Sequence, residues 1–497
     1  MIFDLNEIPA GEARTGYDVC IAGGGVAGIT LAIDLAARGQ RILLLEAGGQ
    51  ESSERSSDVY KGPIIGRAYF DLDFARLRFL GGTSNHWAGW CRTFDAWDFV
   101  GHEHIPNSGW PIRKPDLDRH LERAAKILEI PSTFADTPVA QAEDDFSHVE
   151  FQFSPPVRFG EKYLDALKAS DKIDLFLNAN LTDVRLTEAS NRVTEFHCSN
   201  YADTTAKHTF AGKAFVLAMG GIETPRMMLN FRSQMPNGIG NARDLVGRHF
   251  MDHFHAWGGI YSAKRSDWPF KEGEETHFAP TPAFMAKQKI ANAGLRMGPL
   301  TDVPRGLISR AKHSLFCNDD DTRGFARSFF DGACPANVFT GGYIRVSSEQ
   351  QPNPDSRVSL ADETDKFGMR RAALDWQINE LDRHTIKHMV IGVGRYMAER
   401  KIGNVKLADW LLDDANPVPQ VGEDRWLGAG FHHMGTTRMA DTPDKGVVDK
   451  NCAVFGLNNL FVAGSSIFPT CGQTNPTLPI VQLTLRLGEH LAENFKG

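Results

Sequence analysis

The sequence predicts an α/β fold. One part is a Rossmann-like dinucleotide-binding domain, discontinuous along the chain. The other is an α+β domain built on an antiparallel sheet. Three observations carry this. A complete βαβ unit opens the chain. A second buried strand ending in glycines lies far downstream. A stretch punctuated by Pro and charge separates that strand from a dense C-terminal block.

The βαβ unit comes first. Tyr17–Ala22 reads as a short buried strand, and Gly23-Gly-Gly25-Val-Ala-Gly28 follows at once. Ile29 to Arg38 is helix-length, with Val26, Ile29, Ile33 and Ala37 on one face and Gly39 as a C-terminal cap. Arg41 to Leu45 is a second buried strand, ending in Glu46. Gly23 permits the tight turn, Gly25 admits a pyrophosphate to backbone amides, and Gly28 allows close helix–strand packing. Glu46 stands near the spacing of about 20 residues expected for the acid that binds ribose hydroxyls.

A second small-residue loop runs from Phe79 to Cys91. Gly81, Gly82, Gly89 and the small Thr83, Ser84 and Ala88 let backbone approach a flat ligand. His86, with Asn85 before it and Trp87 after it, is either a packed imidazole or a cofactor contact. Ile173 to Leu186 reads as strand, turn and strand, and Leu181 on the second is a candidate cofactor contact. Lys213 to Met219 is a buried strand ending in Gly220-Gly221, followed by a helical run from Glu223 to Asn230. It fits a later strand of the first sheet. Residues 261–425 carry strand-like pieces at Gly341–Val346 and Arg357–Leu360 and a helical pattern at Leu381–Glu399. The expected cofactor domain is therefore 1–110, 175–260 and 426–497, and the substrate domain 111–174 and 261–425.

The C-terminal block holds Phe431-His-His-Met-Gly-Thr-Thr-Arg-Met439, then Leu460 to Pro469, then Thr470 to Thr477. Asn475 suits a helix cap and Pro476 the first helical position. With Thr477 they open an amphipathic helix running to about Phe495. Its N-terminus offers free amides and a partial positive charge. Such an end stabilises an anion, and a reduced flavin carries negative charge around N1 and the C2 oxygen. A flavin is thus favoured over a nicotinamide.

Composition excludes other classes. Lys and Arg total 54 against 62 Asp and Glu, and the net charge of -8 argues against non-specific nucleic-acid binding. Seven scattered cysteines, without a Cys-x-x-Cys pair, make neither a disulfide framework nor a metal site, and they fit a reducing compartment. No apolar run reaches the ~18 residues of a membrane span. The N-terminus lacks the basic start and apolar core of a secretory signal, so the cytoplasm is the expected location.

These residues resemble the glucose–methanol–choline (GMC) flavin oxidoreductases. The likeness is strongest over Gly23–Glu46, Gly81–Trp90, Leu217–Pro225, Gly238–His253 and His432–Thr477, with further signatures at Asn107–Ile112 and Pro352–Val358. The resemblance implies a two-domain FAD enzyme that oxidises an alcohol by hydride transfer to the flavin. His432, with Gly435 and Thr436 behind it, occupies the family's histidine position, and Asn475 the second catalytic position. Ser465 joins Pro476 and Thr477 as an implied cofactor contact. His433 is implied either behind the site or beside the substrate. The Ser84-Asn-His-Trp87 setting is similar to that of pyranose oxidases, which implies either a covalent link from His86 to the flavin or, as in related short bacterial members, a histidine kept there without a bond. Ala88 departs from the threonine those enzymes have there, which puts the same oxygen handling in doubt. The Thr436-Thr-Arg-Met439 and Asn475-Pro-Thr477 blocks look like the sugar-oxidising branch. A sugar or glycoside is then the implied substrate, with oxygen or an external acceptor taking the electrons. Oligomeric state is not implied. A non-sugar alcohol, a non-redox lyase of the family, a nicotinamide enzyme and a structural flavin remain the alternatives.

Overall fold

Two glycines in contact close the first turn of the chain. In the computed structural model, which describes residues 1–11, 13–140, 142–264, 276–299, 339–422 and 428–495, a Cβ on Gly28 would lie 1.8 Å from the Gly23 carbonyl oxygen. Gly23 itself has φ +113°, and its amide donates to Leu45. Only glycine gives the turn both the left-handed backbone and the clearance.

That turn joins the Arg14–Ala22 strand to the Val26–Ala37 helix, and the chain returns through the Ile42–Leu45 strand. Ile42–Leu45 is buried along its whole length, as expected of a parallel strand covered on both faces. The first sheet runs in the order Ile2–Asp4, Ile173–Leu177, Ile42–Leu45, Arg14–Ala22, His208–Leu217, Val193–Ser199, Asn180–Leu186. The His208–Leu217 strand changes partners along its length. Its first half pairs antiparallel with Val193–Ser199, and its second half lies parallel to Leu460–Val462 as well as to Arg14–Ala22. The cofactor sheet is therefore assembled from three distant pieces of chain, as the discontinuous Rossmann-like expectation requires.

The second sheet is antiparallel. Its order is Gly403–Leu407, Phe254–Lys264, Phe339–Ser348, Ala293–Pro299, Thr276–Pro280, Phe146–His148, Thr137–Pro138. The Glu380–Glu399 helix lays Ile386, Met389, Val390, Val393 and Met397 into the core beneath it. The C-terminal Thr477–Asn494 helix packs instead on Val26–Ala37, at the other core.

Three boundaries differ from the sequence expectation. Phe254–Lys264 and Gly428–Ala429 belong to the second sheet, although 254–260 and 428–429 were assigned to the cofactor domain. Most of 111–174 goes the other way. Lys114–Asp118 and Leu121–Leu128 pack on the C-terminal helix, and Phe159 and Leu167 enter the first core. Amphipathic helices show which face is buried but not against what. Parts of 261–425, its end at 425, and Cys317 and Cys334 lie outside the described residues. The other five cysteines are buried and free. Among the described residues no helix is long and apolar enough to cross a membrane.

The glycine contacts separate packing from binding. A Cβ on Gly28 meets backbone, whereas one on Gly25 meets nothing within 4 Å. Gly28→Ala is expected to lower the thermal midpoint, at an overpacking cost of about 1–3 kcal/mol. Gly25→Ala is expected to keep the midpoint of the flavin-free protein and to weaken flavin retention. Thermal melts and absorbance after gel filtration check the pair. Equal loss of midpoint in both would contradict the distinction.

Candidate active site

Between the two sheets lies a cleft of about 630 Å³. One wall is the first turn, Gly23 to Ala27, with Glu46, Gly82, Thr83, His86, Trp87, Leu181, Gly220, Ser465, Pro476 and Thr477. The other carries His255, Gly294, Arg296, Ser347 and Gln473, with His432, His433 and Asn475 where the walls meet.

The first wall fits FAD. Gly25, Gly220 and Gly464 line it, and a Cβ on any of them would meet open space, so bare backbone faces the cleft. Glu46 sits at the strand end with its carboxylate fixed. Oε2 accepts from the Gly24 amide at 2.9 Å and Oε1 from the Gly48 amide at 2.8 Å. Burial raises its pKa, against the pull of those amides and of Arg78. At the far end Pro476 has helical dihedrals, and its carbonyl accepts from Ile480 at 2.9 Å. The helix N-terminus therefore opens onto the cleft with amides to offer an anion.

Three residues expected against the cofactor do not line the cleft. Gly28 packs on Gly23. The Gly81 amide donates to Gly24 at 2.7 Å, tying the second loop to the first turn. Asn85 Nδ2 donates to the carbonyls of Leu80 and Gly82, both at 3.0 Å, and so shapes the loop. Asn475 also departs from expectation. Its side chain makes no bond to the helix amides. Nδ2 lies 3.2 Å from His432 Nε2 instead.

A buried carboxylate and backbone bonds to Met251 and His253 hold the histidine loop. Asp252 Oδ1 accepts from the amides of Gly430 (3.0 Å) and His432 (2.9 Å). These two bonds span Phe431, whose φ is +57°, a conformation a bulky side chain rarely adopts. The other Asp252 oxygen accepts from the Tyr69 hydroxyl, which in turn meets His433 Nε2 at 3.1 Å. His433 thus lines the cleft while its Nε2 is engaged with Tyr69. Behind His432, His253 Nδ1 lies 2.7 Å from His432 Nδ1 and His253 Nε2 lies 2.8 Å from the Gly472 carbonyl oxygen.

Electrostatics favour neutral imidazoles. Burial, with His253 and His433 alongside, holds His432 well below the usual histidine range. Burial pushes His433 down to about 3 and His253 to about 4. His86 is lowered by burial and by the Arg158 charge. Asp252 is pushed up by burial to about 6, so it stays ionised at neutral pH. A neutral imidazole beside an amide on a cleft wall can take a proton and hold the oxygen that loses it.

Sequence reasoning missed His255, Arg296, Ser347 and Gln473 on the second wall, and Asp252, His253 and Tyr69 behind the loop. A weak signal was present for some of them. Asp252-His-Phe-His255 precedes and enters the second sheet's longest strand, where alternate residues share a face.

Comparison with known proteins agrees with this geometry. A family model described as FAD dependent oxidoreductase matches residues 18–235, and one described as GMC oxidoreductase matches 352–484. The chain is 28% identical to 2-methyl-1,2-propanediol dehydrogenase of Mycolicibacterium austroafricanum, over 61% of this chain and 54% of that one. It is 42% identical to the C-glycoside 3-oxidase of Arthrobacter globiformis, over 26% of this chain and 23% of that one. It thus spans about half the length of its leading relatives. The structure of pyridoxine 4-oxidase from Mesorbium loti superposes with a TM-score of 0.56 at 17% identity, covering 96% of this chain and 99% of that one, a likeness of fold. Glycine turn, buried acid, histidine loop and family matches converge, and the chain carries an FAD dependent oxidoreductase domain followed by a GMC oxidoreductase C-terminal domain.

Proposed function

We propose that this protein oxidises a secondary ring hydroxyl of a sugar or glycoside to the keto form, with His432 as base. The observation that carries the reading is the His432–Asn475 pair. Its two nitrogens are 3.2 Å apart on the wall of the cleft that fits FAD. A hydroxyl oxygen placed against both gives its proton to His432 Nε2 and accepts a hydrogen bond from Asn475 Nδ2. Bound FAD supplies the two-electron acceptor that takes the carbinol hydrogen as hydride. Because His432 is buried and neutral, it is ready as a base without first losing a proton. The 3.2 Å spacing fixes the reacting oxygen, which aligns the carbinol carbon with the cofactor wall.

Polar side chains on the second wall support a hydroxyl-rich substrate. His255, Arg296 and Ser347 face the cleft from the antiparallel sheet, and Gln473 from the turn before the C-terminal helix. The partial match to C-glycoside 3-oxidases points the same way. One observation favours a non-sugar alcohol as a second reading. Phe74, 65% exposed, joins Phe431 on the cleft wall, with Phe70 packed 4.5 Å from Phe431, an apolar edge suited to a substrate with apolar bulk.

Anaerobic mixing with free sugars, O- and C-glycosides and simple alcohols tests the reading. Bleaching of the flavin band by one sugar class is expected. Bleaching only by small alcohols would transfer the assignment to the second reading. Readmitted air separates an oxidase from a dehydrogenase by how fast the colour returns. His432→Ala is expected to lower the reduction rate by at least about 100-fold while FAD stays bound. A parental rate in that variant would remove His432 as the base.

The covalent link expected at His86 has its own check. His86 is exposed on the cleft wall, and among the described residues no hydrogen bond occupies its ring. A neutral, unengaged imidazole is free to bond carbon. Acid precipitation is expected to leave the yellow colour in the pellet, and His86→Ala to release it. Colour in the supernatant of the parent protein would show that FAD is held without a bond.

A further inference from the structure

His253 touches neither the substrate space nor the cofactor wall, yet its two ring nitrogens are both committed. Their partners fix where the hydrogens lie. The Gly472 carbonyl oxygen can only accept, so His253 Nε2, 2.8 Å away, carries a hydrogen and donates. His253 is buried, and desolvation pushes it down to about 4, so its ring holds a single hydrogen at neutral pH. Its Nδ1 is therefore bare. His432 Nδ1 lies 2.7 Å from that bare nitrogen and must supply the hydrogen of the contact. A neutral His432 with its hydrogen on Nδ1 has its lone pair on Nε2. Asn475 Nδ2, an amide donor, meets that nitrogen at 3.2 Å. The chain of assignments starts from a carbonyl at one end and meets an amide donor at the other, and the two ends agree.

We propose that His253 is a positioning residue for the base: through the Gly472 carbonyl it holds His432 with the hydrogen on Nδ1 and the lone pair on Nε2, facing Asn475. The inference rests on the reading of His432 as the base. The oxidised alcohol loses one proton, and that proton ends on His432 Nε2. The resulting imidazolium keeps its Nδ1 hydrogen in a bond to His253, which spreads the charge over two rings. Without His253, nothing among the described residues contacts His432 Nδ1 as an acceptor, and the ring is free to place its hydrogen on Nε2, where it cannot accept. The wrong tautomer of a catalytic histidine is among the costlier single defects in acid–base catalysis, up to about 10⁴-fold in a serine protease triad.

Other titratable groups surround the pair and are common to every variant. His255 follows two residues after His253, in the Phe254–Lys264 strand, with Arg345 and Arg296 beside it from the second sheet. Asp252 and His433 lie on the side of the histidine loop, and Glu349 accepts from the Gly472 amide at 3.0 Å, with Asp98 beyond it.

The test compares His253→Leu, which removes the acceptor, with His253→Asn, whose Oδ1 replaces Nδ1. His253→Leu is expected to retain FAD and to slow anaerobic flavin reduction by about 100-fold or more at neutral pH, with half-saturation unchanged. Its acid limb in the pH profile should move to lower pH, because the imidazolium has lost an acceptor. His253→Asn is expected to recover the rate to within about tenfold and to restore the limb. A parental rate and pH profile in a folded His253→Leu protein would overturn the proposal. Equal losses in both variants, with an unmoved limb, would do the same. A second measurement needs no His253 variant. In the parent protein labelled with ¹⁵N at histidine, and assigned against His432→Ala, the hydrogen of His432 should reside on Nδ1. Finding it on Nε2 would overturn the proposal even if the leucine variant fails to fold. If His432→Ala reduces flavin at the parental rate, the base reading itself falls. If His432→Ala is inert and His253→Leu is parental, only the role of His253 falls.

Discussion

The Asp252 carboxylate is the constraint on which the histidine loop depends. It is fully buried, and burial alone would neutralise it. Two loop amides and the Tyr69 hydroxyl pull against that effect, and the carboxyl settles at about 6, ionised at neutral pH. The bonds to Gly430 and His432 bracket Phe431 and hold it at φ +57°. Backbone strain of this kind costs about 1–3 kcal/mol and persists only where neighbours over-determine it. Here the aromatic contact to Phe70 adds to the two charge-assisted bonds. The result is a loop that delivers His432 and His433 to the cleft from one strained residue.

That loop has to meet surfaces built far away in the chain. The first sheet brings together residues 14–22, 208–217 and 460–462, and so sets the glycine turn beside the helix N-terminus at Pro476. The second sheet supplies the opposite wall through Phe254–Lys264, Ala293–Pro299 and Phe339–Ser348. Asp252 and His253 immediately precede Phe254–Lys264, so the residues that hold the histidine loop are also those that lead into the second sheet. The second wall of the cleft and the histidine loop are thereby placed by one segment.

How much of this is legible in sequence depends on the range of the contacts. The βαβ unit is local: apolar runs, three glycines and an acid lie within one supersecondary unit, and periodicity reads them directly. His432 and Asn475 are marked by their motifs, but their contact is not. Asn475 looks like a helix cap because Asn before Pro often is one, and only the fold shows its amide turned to His432. The helices between 111 and 174 announce an apolar face without saying which core receives it. The pairs behind the loop are the least legible. His253 and His432 are 179 residues apart, and Tyr69 and Asp252 are 183. Neither pair has a spacing rule, because both exist only after two sheets have closed on each other.

The cleft is also notable for the charge it lacks at the reacting end. His253, His255, His432 and His433 are all held below their ordinary range, chiefly by burial. Four protonated rings so close together would repel one another strongly at the effective dielectric of a protein interior, about 4 kcal/mol for a pair of unit charges 4 Å apart. Keeping them neutral makes a single protonation tolerable. On the proposed reading, the positive charge formed when His432 takes a proton lies next to His253, which can accept from it, while the helix end at Pro476 favours negative charge on the cofactor side. In the proposed alcohol oxidation the two charges are thus created together and close to one another.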